Sequence, residues 1–248
     1  MASLEVKNVC FSYDGKENVI EDINIKLNEN ELVCLLGVSG CGKTTLFNVI
    51  SGLNKPNGGQ VILDSEDITG KPGKISYMLQ KDLLLPYRTI EDNVALPLII
   101  KGEKKKTARQ KVGKHFAEFG LEGTEKKYPS ELSGGMRQRA ALLRTYMFSN
   151  GVALLDEPFS ALDALTKSDI HRWYLDVMEK IKLSTLFITH DIDEAVLLSD
   201  RIYLLSGKPG RITNEIVIDE PKPRSSDFAL SEKFLEYKRR IINELNNK

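Results

Sequence analysis

The stretch ELVCLLGVSGCGKTTLFNVISGL, Glu31 to Leu53, changes character twice. It begins as a continuous apolar run, "ELVCLLG", the pattern of a strand buried on both faces of a parallel sheet. It ends as "KTTLFNVISGL", where Leu46, Val49, Ile50 and Leu53 recur at helical spacing and Gly52 marks the end. Between them lies Gly37-Val38-Ser39-Gly40-Cys41-Gly42-Lys43-Thr44, which satisfies GxxxxGK[ST] in the strand–loop–helix context that gives this pattern its meaning. The glycines let backbone N–H groups curl around phosphate oxygens, and the helix beginning near Gly42 adds its positive end. Lys43 is expected to reach the β- and γ-phosphates of a nucleotide, and the Thr44 hydroxyl to ligate Mg²⁺. With Thr45 these residues form the candidate cradle for ATP. Cys41 sits inside it. A thiol beside Lys43 and a helix N-terminus lies in a positive field, so alkylation that ATP prevents is the expectation.

Outward from the loop, β-signals flank a helical middle. "LEVKNV" and "INIKL" (Ile23 to Leu27) alternate apolar and polar residues, as half-buried antiparallel strands do. Residues from about Arg88 to Phe148 read as mainly helical, with Val112, Phe116 and Phe119 on one helix face. Short apolar runs then return in "GVALLD", "STLFITH" and "RIYLLSG", and the helical pattern Leu165, Ile170, Trp173, Val177, Ile181 separates the first two. Strand–helix–strand repetition argues for a parallel α/β sheet. Leu230, Phe234, Tyr237, Ile241 and Leu245 outline a final amphipathic helix. The fold class is therefore α/β: a P-loop NTPase core with a parallel sheet, an N-terminal antiparallel β-subdomain and an inserted helical subdomain.

Composition sets limits. Of 248 residues, 41% are hydrophobic and 28% charged, ordinary for a globular domain with a substantial core. Lys plus Arg and Asp plus Glu are both 35, which argues against nucleic acid as a partner held by a basic surface. The run "KGEKKKTARQK" reads as a solvated helix end. Three cysteines without metal-like spacing read as reduced thiols in a cytosolic protein. "MASLEVKNV" lacks the basic start and apolar run of a signal peptide. "VALPLII", Val94 to Ile100, is too short to span a bilayer, so membrane work would go through a partner.

A second motif, "ALLDEP", ends an apolar strand in two carboxylates, at the sheet edge where ligands of α/β folds sit. Asp156 is placed to hold Mg²⁺, directly or through water, and Glu157 to polarise an attacking water as a general base. A third, "LSGGMRQR" (Leu132 to Arg139), puts glycines just before the helical pattern "MRQRAALLRTYM", a further anion-seeking turn.

On these motifs the chain resembles, over nearly its whole length, the ATP-binding subunit of an ABC transporter. "LSGGMRQR" looks like the family signature, and "SALD", ending in Asp163, like its D-loop. His190 in "FITHD" matches the switch histidine, and Gln80 in "YMLQKD" the Q-loop glutamine, a catalytic and metal-facing position. Tyr13 in "FSYDG" matches the aromatic that stacks on adenine, although Phe11 lies two residues away. The resemblance implies that two copies pair head to tail. Ser133, Gly134 and Gly135 of one copy then close over the phosphates held by the other's loop, which gives two sites about one two-fold axis. It further implies integral membrane permease subunits as partners, a solute-binding protein indirectly, and a peripheral place on the cytoplasmic face of the cell membrane.

"LLLPYRTIEDNVALPL", "DEPFSALDALT" and "LLSGKPGRITNEIVID" followed by "PKPR" resemble the nitrate, sulfonate and taurine import group and some thiamine-precursor importers. Tyr87 stands where that group usually has Trp, Asn30 where Gly is usual, and "LLRTYM" where "ARAL" is common. "KDLLLPYR" is where a permease helix is expected to dock. The implied plan is a nucleotide-binding core with β-subdomain over about 1–87 and 149–220, a helical subdomain over about 88–148, and a C-terminal helical tail over about 221–248. The alternatives are a non-transport ABC ATPase, which usually carries a coiled-coil insertion or tandem cassettes, and a P-loop kinase, which needs an acceptor site. The sequence offers none of these features.

Overall fold

The computed structural model describes residues 3–160, 164–222, 224 and 227–246, the side chains of 164–169 excepted. Its centre is β3 (Leu32–Gly37), buried along its whole length. β3 pairs in parallel with β8 (Ser184–Thr189) on one side and with β9 (Arg201–Ser206) on the other. β7 (Val152–Asp156) and the three-residue β6 (Ser76–Met78) extend the parallel sheet beyond β8. β10 (Arg211–Val217) closes the opposite edge, antiparallel to β9.

Side chains alternate along these strands, so each strand feeds two cores. Cys34, Leu36, Ala153, Leu155, Phe187, Ile202 and Leu204 face one side. There they pack on the helices α2 (Ile90–Ile100), α3 (Lys105–Gly113), α4 (Gly134–Phe148), α5 (Ala164–Ile181), α6 (Ile192–Leu198) and α7 (Glu232–Asn246). Val33, Leu35, Leu154, Leu186, Ile188 and Leu205 face the other side. There they pack on α1 (Lys43–Ile50) and on a second sheet, of order β2-β1-β4-β5. That sheet is antiparallel, built from β1 (Leu4–Phe11), β2 (Ile20–Leu27), β4 (Gly58–Leu63) and β5 (Glu66–Asp67). A parallel core, an N-terminal antiparallel sheet and a set of helices between β6 and β7 give the expected fold class.

Two sequence expectations change. α3 stops at Gly113, and Phe116 and Phe119 lie in the turns that follow it. Gly113 and Gly120 weaken helix across this stretch. The turns instead set Phe119 against Tyr146 and Trp173, at ring distances of 5.9 and 6.0 Å. Leu230 is not on the buried face of the last helix. It ends a short 3-10 turn and is 85% exposed, while Phe228 takes the buried place against Phe234.

Candidate active site

Parallel pairing brings the carboxyl ends of neighbouring strands to one edge. Gly37 ends β3, Asp156 ends β7, His190 follows β8, and Gln80 follows β6 by two residues. Four segments far apart in sequence therefore meet at a cleft of about 570 Å³. Val19, Ser39, Gly40, Gly42, Lys43, Thr44, Thr45, Gln80, Asp156, Glu157 and His190 line it.

The loop is tight because glycine permits it. A Cβ on Gly37 would meet the Leu205 carbonyl oxygen at 2.4 Å. Gly42 has φ +99°, and a Cβ there would meet Ile20 Cγ2 at 2.6 Å. Gly42 caps α1 without a side-chain acceptor, so the helix N-terminus points its N–H groups into the loop. Lys43 is buried and curls back, its Nζ donating to the carbonyls of Gly37 (2.8 Å) and Val38 (2.9 Å). These contacts hold the ammonium group at the loop that phosphate would enter.

Cys41 corrects the sequence reading. It is 2% exposed and belongs to the core on the α1 side, with Sγ 2.9 Å from where a Gly37 Cβ would stand. The thiol therefore faces inward, away from the loop surface where a reagent would arrive. Of the other two thiols, Cys34 is buried in β3, with burial pushing its thiol well up, and Cys10 is half-buried on β1.

The two carboxylates have different surroundings. Asp156 is buried, and its Oδ2 accepts hydrogen bonds from Thr44 Oγ1 (3.1 Å) and Tyr77 OH (3.4 Å). Burial raises its carboxyl above the ordinary range; the Thr44 hydrogen bond opposes this, and Glu157 next to it adds to it. Burial and the Asp156 carboxylate push the Tyr77 phenol up. Glu157 has a left-handed backbone, φ +45°. Its Oε2 accepts from Gln80 Nε2 at 2.9 Å, and its Oε1 lies 3.0 Å from His190 Nδ1. Gln80 and His190 thus both touch Glu157 directly.

Tyr13 stands at the rim of the loop, 67% exposed, with its hydroxyl 3.1 Å from Thr45 Oγ1. Phe11 is buried and meets the Tyr13 ring edge-on, so Tyr13 is the aromatic left facing outward. The signature lies elsewhere. Ser133 caps α4 by accepting from the Met136 N–H, and Ser133 and Gly134 are exposed. Ser133, Gly134 and Gly135 do not line the cleft. Asp163 falls outside the described residues.

The hydroxyl of Thr44 and the carboxylate of Asp156 face one another, and Gln80 and Glu157 complete a wall rich in oxygen donors. That is the hard-ligand chemistry Mg²⁺ prefers, so the residues present fit the ion. Two polar side chains lie inside sequence motifs that assign them no role: Tyr77 of "YMLQKD", which holds Asp156, and Gln138 of "LSGGMRQR", whose Nε2 donates to the Pro158 carbonyl at 2.6 Å.

Fold and cleft together define a P-loop nucleotide-binding protein. Residues 20–160 match the family model described as ABC transporter, and the chain belongs to that family. It is 47% identical over 206 residues to the formylaminopyrimidine import ATP-binding protein ThiZ of Halalkalibacterium halodurans, covering 83% of this chain and 80% of that one. It is 40% identical over 240 residues to the aliphatic sulfonates import ATP-binding protein SsuB of Bacillus cereus, covering 97% and 93%. Among solved structures it is similar to the dimeric post-hydrolysis state of the ATP-binding cassette MJ0796 bound to ADP and Pi. The TM-score is 0.74 at 30% identity, over 88% of this chain and 100% of that one.

Proposed function

We propose that this chain is the ATP-hydrolysing, energy-coupling subunit of an ABC importer, acting as a head-to-tail pair beneath membrane permease subunits. The observation that carries the reading is the separation of its two anion-seeking turns. The phosphate loop opens on the cleft with Asp156, Glu157, Gln80 and His190, while Ser133 and Gly134 stand exposed and Gly135 half-buried at the start of α4, outside it. A second copy is the natural source of the phosphate that the signature would meet, and the similar cassette is a dimer.

In this reading the loop amides and Lys43 bind the β- and γ-phosphates, and Lys43 exchanges its two carbonyl partners for phosphate oxygens. Tyr13 stacks on adenine. Thr44, Asp156 and Gln80 would hold Mg²⁺, which when bound neutralises charge on the phosphate oxygens. Glu157 takes the proton of the attacking water, and His190 orients that carboxylate through its 3.0 Å contact.

Permease docking is supported by the segment after Gln80. Arg144 holds the carbonyls of Asp82 and Leu83, and the buried Asn93 side chain binds the backbone of Leu85, Arg88 and Thr89. The segment is rigid from beneath, yet Leu83 (53%) and Tyr87 (72%) are exposed. Among the described residues no helix is long and apolar enough to cross a membrane. A permease would therefore hold the subunit at the cytoplasmic face, and a solute-binding protein would act on the far side. The relatives' names point to a small organic or anionic solute, such as a sulfonate or a thiamine precursor.

Sizing chromatography tests the pairing. Glu157→Gln should elute as a dimer with Mg-ATP and as a monomer without it, and should turn over ATP roughly 10²–10⁴ more slowly than the parent. Lys43→Ala should lose nucleotide binding and remain monomeric. A monomeric Glu157→Gln chain at saturating ATP, or wild-type turnover by it, would count against the reading.

A further inference from the structure

The left-handed backbone of Glu157 is a strained conformation for a side-chain-bearing residue, and such residues persist where surrounding contacts over-determine them. Three contacts do so. The Glu157 N–H donates to the Ile188 carbonyl of β8 at 3.0 Å. The Glu157 carbonyl accepts from the Ser160 N–H (3.2 Å) and Oγ (3.0 Å). The next carbonyl, that of Pro158, accepts from Gln138 at 2.6 Å. The first comes from the sheet and the second from the loop itself. The third comes from α4, whose N-cap is Ser133 of the signature. Gln138 lies little more than one turn into that helix and is 8% exposed. Its amide sits where water does not compete, so losing the bond would leave a buried carbonyl unsatisfied.

We propose that Gln138 is a positioning residue for Glu157. It ties the signature helix to the backbone that aims the carboxylate, so that seating the signature on the partner's nucleotide sets the base of this chain's own site. The inference rests on the reading of Glu157 as base and of the signature as a cross-chain element. It gives the two sites of the pair a physical link: Gln138 lies only five residues beyond the Ser133 cap on the same helix, so a shift of the α4 N-terminus moves the Pro158 carbonyl with it. The link predicts that ATP bound at one site changes the chemical step at the other without changing ATP affinity there.

The test uses the full chain with Gln138→Met, which keeps the length of the side chain but has no N–H to donate. Gln138→Asn, which withdraws the amide by one methylene, serves where Gln138→Met does not fold. Steady-state turnover against ATP, ATP-driven dimerisation in a Glu157→Gln background, and hydrogen exchange of the Glu157, Phe159 and Ser160 amides are measured. The expected result is a kcat lowered roughly ten- to a hundredfold, as for a small misplacement of a reacting group, with KM for ATP unchanged. Dimerisation should keep its ATP midpoint. Exchange should quicken at Phe159 and Ser160 but not along β3. A kcat within twofold of the parent, unaltered exchange at these amides, or parallel loss of kcat, dimerisation and thermal stability would overturn the proposal. A parent chain that neither binds nor hydrolyses ATP would overturn the functional reading instead, and the exchange comparison would still decide whether Gln138 tethers the loop.

Discussion

At the scale of single residues, Asp156 is held in a position that costs the empty protein stability. Burial raises its carboxyl above the ordinary value. A raised value means the folded chain binds that proton more tightly than the unfolded chain. The group's contribution to stability is therefore fully present at acid pH and falls as pH rises from the ordinary carboxyl range through the raised value. Asp156→Asn should accordingly raise the melting temperature of the nucleotide-free chain at neutral pH, and leave it unchanged below the ordinary carboxyl range. The amide oxygen can still accept from Thr44 and Tyr77, while Mg-dependent turnover should be lost. Thermal denaturation across a pH series checks this, and a neutral-pH melting temperature at or below the parent's would contradict it. Cys41 shows a second residue-scale effect. Its neighbours in sequence suggest a reactive thiol, but its backbone follows the loop while its side chain turns into the core.

At the scale of elements, the phosphate loop is shaped by what packs behind it. Ile20 of β2 fills the space that a side chain at Gly42 would need. Gly42→Ala should thus both strain the backbone and clash with the second sheet. A loss of roughly 1–3 kcal/mol in denaturant unfolding is expected, together with weaker ATP binding in a fluorescence titration. An alanine chain with parent affinity would show that the loop relaxes. The same dependence on neighbours explains what the sequence reveals. β1, β2, β3, β7, β8 and β9 are legible because burial on one or both faces writes an alternating or continuous apolar pattern. β6 has three residues, too few for any period, and β10 is a largely exposed edge whose "RITNEIV" carries mixed signals. Lys43, Thr44, Asp156 and Glu157 are legible because their chemistry is local to a motif. Tyr77 and Gln138 are not, because what defines each is a partner 79 or 20 positions away.

At the scale of the molecule, the two sheets are fastened at the edge opposite the cleft. Arg201 opens β9 there. It donates to Glu31 through Nε and Nη2, to Glu215 and Tyr203 through Nη1, and to the Lys26 carbonyl of β2 through Nη2. Arg201→Ala would leave the largely buried Glu31 without its charge partner, with only the Asn28 amides still donating to it, so a stability loss of roughly 3 kcal/mol is expected, with ATP affinity of the folded fraction unchanged. Urea unfolding and nucleotide titration separate the two effects, and reduced affinity would show that the far edge does reach the cleft. The placement of β3 between β8 and β9 also bears on how the chain comes to its shape in time. β1 and β2 are neighbours in sequence and can pair as soon as both exist. β3 must wait, since Leu32 meets Asp200, 168 positions further along the chain, and closing so long a loop is slow. On the ribosome, "LVCLLG" therefore emerges early as an apolar segment with no companion and remains so through most of synthesis. Nucleotide is thus expected to act late in folding, because the strand ahead of its cradle gains both sheet partners only once β8 and β9 have been made.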